Sequence, residues 1–320
     1  MRSDYWRALH WGPVTLLGMI ATVLVSTFTS SNILWPPGES LWGLLYPVFN
    51  AFFLSLTLYF SSLSLVTGPG YLELKWSPGK TGAEAQLQFC DRCQGYKAPR
   101  SHHCRQCDRC VMKMDHHCPL INTCVGHQNQ GPFLVFIFNG VTACVMGTIS
   151  NGLVLYYCII DESINLTHIS FMIVSGGLGL SLAISLGVGY LLINQIKAIV
   201  TNQTTVETKI KRRADSRLRG KGKTFVWPYD MGTWENLKQV MKNFPCVPAG
   251  NGLEWEVVAG CDQFTLTREE ILQKRENKKT RSRDSEALWR GIVFCIVFVV
   301  SFAISFKLQL NSERLMNFED

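Results

Sequence analysis

Cys90-Asp-Arg-Cys93-Gln-Gly-Tyr-Lys-Ala-Pro-Arg-Ser-His-His103-Cys104-Arg-Gln-Cys107-Asp-Arg-Cys110-Val-Met-Lys-Met-Asp115-His116-His117-Cys118-Pro-Leu-Ile-Asn-Thr-Cys124 is the stretch that decides how the chain folds. Its 35 residues hold seven of the twelve cysteines and four of the seven histidines. Tetrahedral zinc takes four Cys/His ligands, commonly in Cys-x2-Cys clamps, so one ion cannot use this many donors. Two closed sites take eight groups and leave a surplus cysteine beside a surplus histidine and an aspartate. A spare thiol next to a base, on a metal-stiffened scaffold, has the makings of a nucleophile. The spacing also admits an ordinary zinc module, in which His116 is another ligand and Cys118 is structural.

Outward from this stretch, hydrophobic residues make up 47% of the 320, and they are clumped. Residues 11–29, 41–67, 131–160 and 169–196 are uncharged and largely apolar. Each can cross a bilayer core of about 30 Å as a helix. Buried helices of a soluble protein would keep a polar stripe, and these do not. The expected fold class is an α-helical polytopic membrane protein with four transmembrane helices and a loop-rich, metal-folded domain between spans 2 and 3. Sixteen uncharged residues, Gly291 to Phe306, form a candidate fifth segment just under the usual length.

Charge sets the orientation. The connection from Gly68 to Gln130 carries Lys75, Lys80, Arg92, Lys97, Arg100, Arg105, Arg109 and Lys113, whereas loops 30–40 and 161–168 carry no lysine or arginine. The positive-inside rule puts the cysteine-rich segment, Arg2, Arg7 and the tail after Ile196 in the cytosol. The net charge of +7 then reflects topology and attraction to an anionic leaflet, with no call for nucleic acid as a partner. Cytosolic cysteines stay reduced, so the cluster reads as ligands and a thiol rather than disulfides. Cys144, Cys158, Cys246, Cys261 and Cys295 read as packing or idle thiols. The first apolar run lacks a small-residue cleavage site and is expected to persist as an anchor. Of the sequons at Asn165 and Asn202, only the first falls on the lumenal side.

The chain divides into 1–67 (a cytosolic segment and spans 1 and 2), 68–130 (the cysteine-rich domain), 131–196 (spans 3 and 4), 197–290 (a cytosolic tail) and 291–308 (the candidate fifth segment). Proline and glycine punctuate it at Pro36-Pro37-Gly38, Gly68-Pro69-Gly70 and Gly131-Pro132. Trp227, Tyr229, Trp234 and Trp255 are expected to anchor a globular piece of the tail. No internal repeat is evident.

The order Cys-x2-Cys, His-Cys-x2-Cys-x2-Cys, Asp-His-His-Cys-Pro-x4-Cys, with Lys113-Met114 before it and Val125-Gly126 after it, resembles the DHHC protein S-acyltransferases. The resemblance runs over roughly residues 10–245. It is nearest the endoplasmic-reticulum branch, which carries Gly-Pro-Gly after span 2 and Tyr-Asp-Met-Gly in the tail, here Tyr229 to Gly232. That branch usually ends in an SH3-like domain, for which this chain is read as leaving no room.

The family pattern implies one structural zinc on Cys90, Cys93, His103 and Cys110, and a second on Cys104, Cys107, His117 and Cys124. Splitting neighbours such as His103 and Cys104 between two ions avoids strain. Closed sites leave no open position for substrate. The family uses Cys118 as nucleophile, with His116 as base and Asp115 fixing its tautomer. The implied reaction passes a long-chain acyl group from acyl-CoA, palmitoyl-CoA being the type case, through Cys118 to cysteines of membrane-associated proteins. Its expected setting is the endoplasmic reticulum first and the Golgi next. Lys97, Arg100 and His102 are expected to face the CoA phosphates. Thr205, in Thr204-Thr205-Val206-Glu207, is expected to hydrogen-bond Asp115, and Asn236 to brace the end of span 4. Ala143 and Gly147 give room between spans, with helix packing the favoured role.

Two departures stand out. Gly68 replaces the family's aspartate before Pro-Gly, and Leu120 replaces the usual tryptophan past the nucleophile. All reacting groups are present, so the chain reads as catalytically competent. A zinc-stabilised adaptor would tolerate Cys118→Ser. A metal transporter would need ionisable groups inside its spans, which hold none.

Overall fold

The computed structural model describes residues 9–278 apart from Pro37, 80–82, 161–165 and Phe244. The candidate segment Gly291–Phe306, Cys295, Arg2, Arg7 and the sequon residue Asn165 lie outside the described residues. Two compact units are present, one ending at Arg268 and one starting at Glu269. In the second, residues 269–278 are helical, and Gln273 Nε2 donates to Glu269 Oε1 one turn back at 2.7 Å.

The fold is mostly helical. Among the described residues, four helices are long and apolar enough to cross a membrane: α1 Trp11–Leu34, α2 Trp42–Thr67, α3 Gln130–Ile160 and α4 His168–Val200. They cover the four apolar runs, and α1 and α4 continue past them. At 1.5 Å per residue, the 33 residues of α4 reach about 50 Å, well beyond a hydrocarbon core of about 30 Å. Its last turns therefore stand among the cysteine-rich residues. Glycine stops α2, because Gly68 and Gly70 have φ of 69° and 82°. The helices meet over Val23, Leu54, Ala143 and Cys144. Ala143 is fully buried there, and its carbonyl accepts from Asn50 Nδ2 at 2.9 Å. A Cβ on Gly147 would come 3.1 Å from Thr27 Oγ1. Both small residues thus sit at helix contacts.

Between α2 and α3 the chain forms three two-stranded ribbons: β1 Phe89–Cys90 with β2 Gly95–Tyr96, β3 His102–Cys104 with β4 Arg109–Val111, and β5 His116–Cys118 with β6 Thr123–Val125. They correct the expectation that the chain has no internal repeat. Facing pairs recur as Phe89 with Tyr96, His103 with Cys110, and His117 with Cys124. Each ribbon turns on a residue of positive φ four places past its first cysteine: Gln94 (52°), Asp108 (50°) and Asn122 (46°). The second and third ribbons also share side chains, His-His-Cys-x5-Cys-Val at 102–111 and again at 116–125, whereas the first shares only the backbone geometry and its cysteine. Ribbons this short are not stable alone.

The ribbons are tied to the bundle. Asn129 Nδ2 donates to Ser64 O (3.1 Å) and Cys124 O (2.9 Å), and Gly126 N donates to Asn129 Oδ1 (2.9 Å). After α4, a capping box of Thr204 and Glu207 starts α5 Thr205–Arg219, and a short α6 follows at Thr233–Lys238.

Candidate active site and metal centres

The tips of the first and second ribbons each offer a clamp, and the ribbon that follows each offers a facing pair. Cys90 and Cys93 of the first ribbon meet His103 and Cys110 of the second; Cys104 and Cys107 of the second meet His117 and Cys124 of the third. His103 Nδ1 lies 3.6, 3.4 and 4.0 Å from the sulfurs of Cys90, Cys93 and Cys110. His117 Nδ1 lies 3.7, 3.4 and 3.7 Å from those of Cys104, Cys107 and Cys124. Zinc–sulfur and zinc–nitrogen bonds of 2.3 and 2.0–2.1 Å give a tetrahedron an S···N edge of about 3.6 Å. Both sets fit a tetrahedral metal ion.

Cys118 belongs to neither set. It is 6% exposed and packs with Leu16 of α1, Phe60 of α2, and Phe133, Phe136 and Ile137 of α3. Its thiol therefore sits where the inner ends of three apolar helices meet. Gly12 of α1 approaches the Pro119 carbonyl so closely that any Cβ there would collide with it.

His116 precedes Cys118 by two residues on β5, so both side chains fall on one face of the strand. The ring hydrogen-bonds the Cys118 sulfur. Its Nδ1 lies 2.6 Å from Asp115 Oδ2, and its edge packs on Phe133. Burial disfavours the imidazolium, but the hydrogen bonds to Asp115 and Cys118 and their charges outweigh it and lift the ring to about 9. Burial likewise opposes ionisation of Asp115, yet His116, the Thr205 N–H and Gln195 hold it below the usual carboxylate range. Thr205 N donates to Asp115 Oδ1 at 2.6 Å and Gln195 Nε2 to Oδ2 at 2.7 Å. Thr205 thus meets Asp115 through its backbone, at the N-terminal end of α5 where N–H groups point outward.

Of the residues expected at the CoA phosphates, Arg100 has another place. It is 3% exposed and donates to both oxygens of Glu207 (2.6 and 2.8 Å) and to Asn202 Oδ1 and O (3.0 and 2.9 Å). Its guanidinium lies 4.2 Å from the Tyr229 ring centroid and 4.5 Å from that of Trp255. That locks the first ribbon's exit onto the tail. Lys97 and His102 are half-buried on the ribbon domain. Asn236, fully buried, donates to the carbonyl of Val200, the last residue of α4, at 2.7 Å.

Sequence reasoning missed Gln195, Lys113 and His127. Lys113 is 2% exposed, and burial first, then Arg100, lower it to about 7. Burial first, then Lys113, likewise lowers His127 to about 4. The amide pair Asn194-Gln195, closing an otherwise apolar run, is the signal that could have exposed Gln195.

Comparison with known proteins agrees with this geometry. A family model described as DHHC palmitoyltransferase matches residues 83–212. Palmitoyltransferase ZDHHC6 of Mus musculus is 36% identical over 304 residues, covering 88% of this chain and 73% of the mouse protein. The Danio rerio protein of that name is 37% identical, covering 85% and 72%. Probable protein S-acyltransferase 16 of Arabidopsis thaliana is 34% identical, covering 58% and 68%.

Proposed function

The chain belongs to the DHHC palmitoyltransferase family and is a protein S-acyltransferase, and on that premise we propose that Cys118 carries the acyl group. The observation behind this is the thiol's position. Among the cysteines of the ribbon domain, Cys118 alone stands outside both four-ligand sets, beside the His116–Asp115 pair and against the helix ends.

In the first step the Cys118 thiolate attacks the carbonyl carbon of a long-chain acyl-CoA thioester. The carbon–sulfur bond to CoA breaks, and CoA leaves as a thiol with a proton from His116. In the second step His116 takes the proton of a substrate cysteine, whose sulfur attacks the acyl-enzyme and frees Cys118. Thioester-to-thioester exchange is nearly balanced in energy, so the protein's task is to position and activate. Asp115 holds Nδ1 of the imidazole and leaves Nε2 for the thiol. Zinc, held by the two ligand sets, would supply rigidity to ribbons too small to fold alone.

The domain division, the endoplasmic-reticulum setting with a cytosolic active site, palmitoyl-CoA as donor and membrane-associated proteins as acceptors complete the proposal. The basic connection between spans 2 and 3 supports that orientation. Lys97 and His102 remain for the CoA phosphates, whereas the burial of Arg100 suits a brace.

The test uses purified protein and labelled palmitoyl-CoA. Hydroxylamine-sensitive label is expected on the wild type and absent from Cys118→Ser. Equal label on the serine variant sinks the assignment.

A further inference from the structure

We propose that Gln195, at the inner end of α4, is a positioning residue of the acyl-transfer centre, its amide fixing the carboxylate that orients His116 against Cys118. The inference rests on the roles given above to those three residues.

Gln195 is 1% exposed, and its Nε2 lies 2.7 Å from Asp115 Oδ2. The same oxygen accepts from His116 Nδ1 at 2.6 Å, while Oδ1 accepts from Thr205 N at 2.6 Å. The three donors come from three parts of the chain: the third ribbon, the last apolar helix and the tail helix. With His116 and Thr205 alone, each oxygen would have one donor, and the carboxylate could still pivot about the line between them. Gln195 supplies the third point that stops the pivot.

The amide is poorly explained as a device for stability. Its Oε1 is buried with no hydrogen-bond partner among the described residues. An unpaired buried carbonyl is costly, and an apolar side chain of the same length would avoid that cost. What an apolar residue could not supply is the second donor on Oδ2. That donor draws charge away from the oxygen facing His116, so a proton stays on Nδ1 and Nε2 stays directed at the Cys118 sulfur. The arrangement follows the rule that the group orienting a catalytic base must itself be held.

The test uses the full-length holoenzyme in lipid nanodiscs. Gln195→Met keeps the length and removes the donor; Gln195→His restores a neutral N–H of similar reach. Single-turnover label transfer from palmitoyl-CoA is followed against its concentration, with metal content measured on the same samples. Gln195→Met is expected to slow acyl-enzyme formation roughly ten- to hundredfold at saturating palmitoyl-CoA. The half-saturating concentration and the metal content should stay at wild-type values, and Gln195→His should recover most of the rate. A wild-type rate in the methionine variant overturns the proposal. So does a loss accompanied by loss of metal, or one that the histidine leaves unrepaired. Cys118→Ser runs alongside: label surviving on it breaks the underlying reading, separately from anything Gln195 shows.

Discussion

The second and third ribbons have one backbone and opposite fates. Both pair a histidine with a cysteine across the strands, both turn on a residue of positive φ, and both begin the turn with a cysteine. Yet Cys104 is placed for metal and Cys118 is not. Two differences account for this. Cys107 completes the second clamp, whereas Ile121 occupies the equivalent place in the third. A further ribbon supplies the missing pair to the second clamp, whereas the third is followed by α3. The proposed nucleophile is thus a half-built metal site, and subtraction turned a ligand geometry into a reactive thiol.

Substitution of the paired cysteines breaks the comparison most sharply. Cys118→Ser should abolish acyl label while the protein keeps about two metal ions per chain. Cys104→Ser should lose an ion and, because metal binding is folding energy for such ribbons, also lose ordered second and third ribbons. Metal analysis with amide hydrogen exchange reads both. A Cys104→Ser protein with full metal content and full activity would mean that the two ribbons do not differ in the way described.

The exits of the first two ribbons form a second pair. Arg100 and Lys113 are both buried basic residues at positive φ (64° and 45°), but Arg100 is hydrogen-bonded to Glu207 and Asn202, whereas Lys113 overlies the Trp255 ring at 5.7 Å. Arg100→Met strands the Glu207 carboxylate and should cost about 3–5 kcal/mol, because a buried charge loses its partner. Chemical denaturation of the tail in detergent measures it; an unchanged midpoint would show that the clamp carries no weight.

Lys113 should instead show itself in pH. Its folded value is about 7 against 10.5 in the open chain, with Arg100, Glu207, Asp115 and His127 around it. Between those values the unfolded chain binds the extra proton, so the lysine's own contribution to stability rises with pH, by up to about 1.4 kcal/mol per unit. His116, lifted from 6.5 to about 9, contributes the opposite slope below pH 9, so the net rise falls between about pH 9 and 10.5. Below pH 7 the full penalty of a buried ammonium applies. Glu207, held low by Arg100 against its burial, loses its contribution only in acid, outside this window. Lys113→Met should remove the slope; a slope that survives places the titration elsewhere.

How much of this was legible follows from the reach of each constraint. Lipid demands unbroken apolar runs, so all four helices could be read from local composition. Metal demands close donors, so the clamps could be read from spacing. The repeat of the second and third ribbons is legible too, as His-His-Cys-x5-Cys-Val at 102–111 and 116–125. The first ribbon's place in it is obscured, because Phe89 and Tyr96 stand where the later ribbons carry histidine and cysteine. Arg100 was expected at a phosphate because its partner, Glu207, lies 107 residues away, and no local pattern joins them. Gln195 was hidden inside an apolar run whose polar end looked like the edge of a span.

The mildest test restores what the third ribbon lacks. Ile121 is 1% exposed in the cluster that also holds Cys118, so Ile121→Cys removes apolar volume and should cost about 1–2 kcal/mol. It also completes a third Cys-x2-Cys clamp. If a clamp alone made a metal site, a third ion should bind and label should disappear. The architecture argues otherwise, because a clamp here needs the facing pair of a following ribbon. After β6 the chain runs through Gly126 and His127 toward α3, and His127 is buried against Trp255 with its Nε2 3.4 Å from Gly250 O. With reductant present, the variant should therefore hold the same two ions and still take label. A third ion would show that the missing partner cysteine, rather than the missing ribbon, keeps Cys118 free.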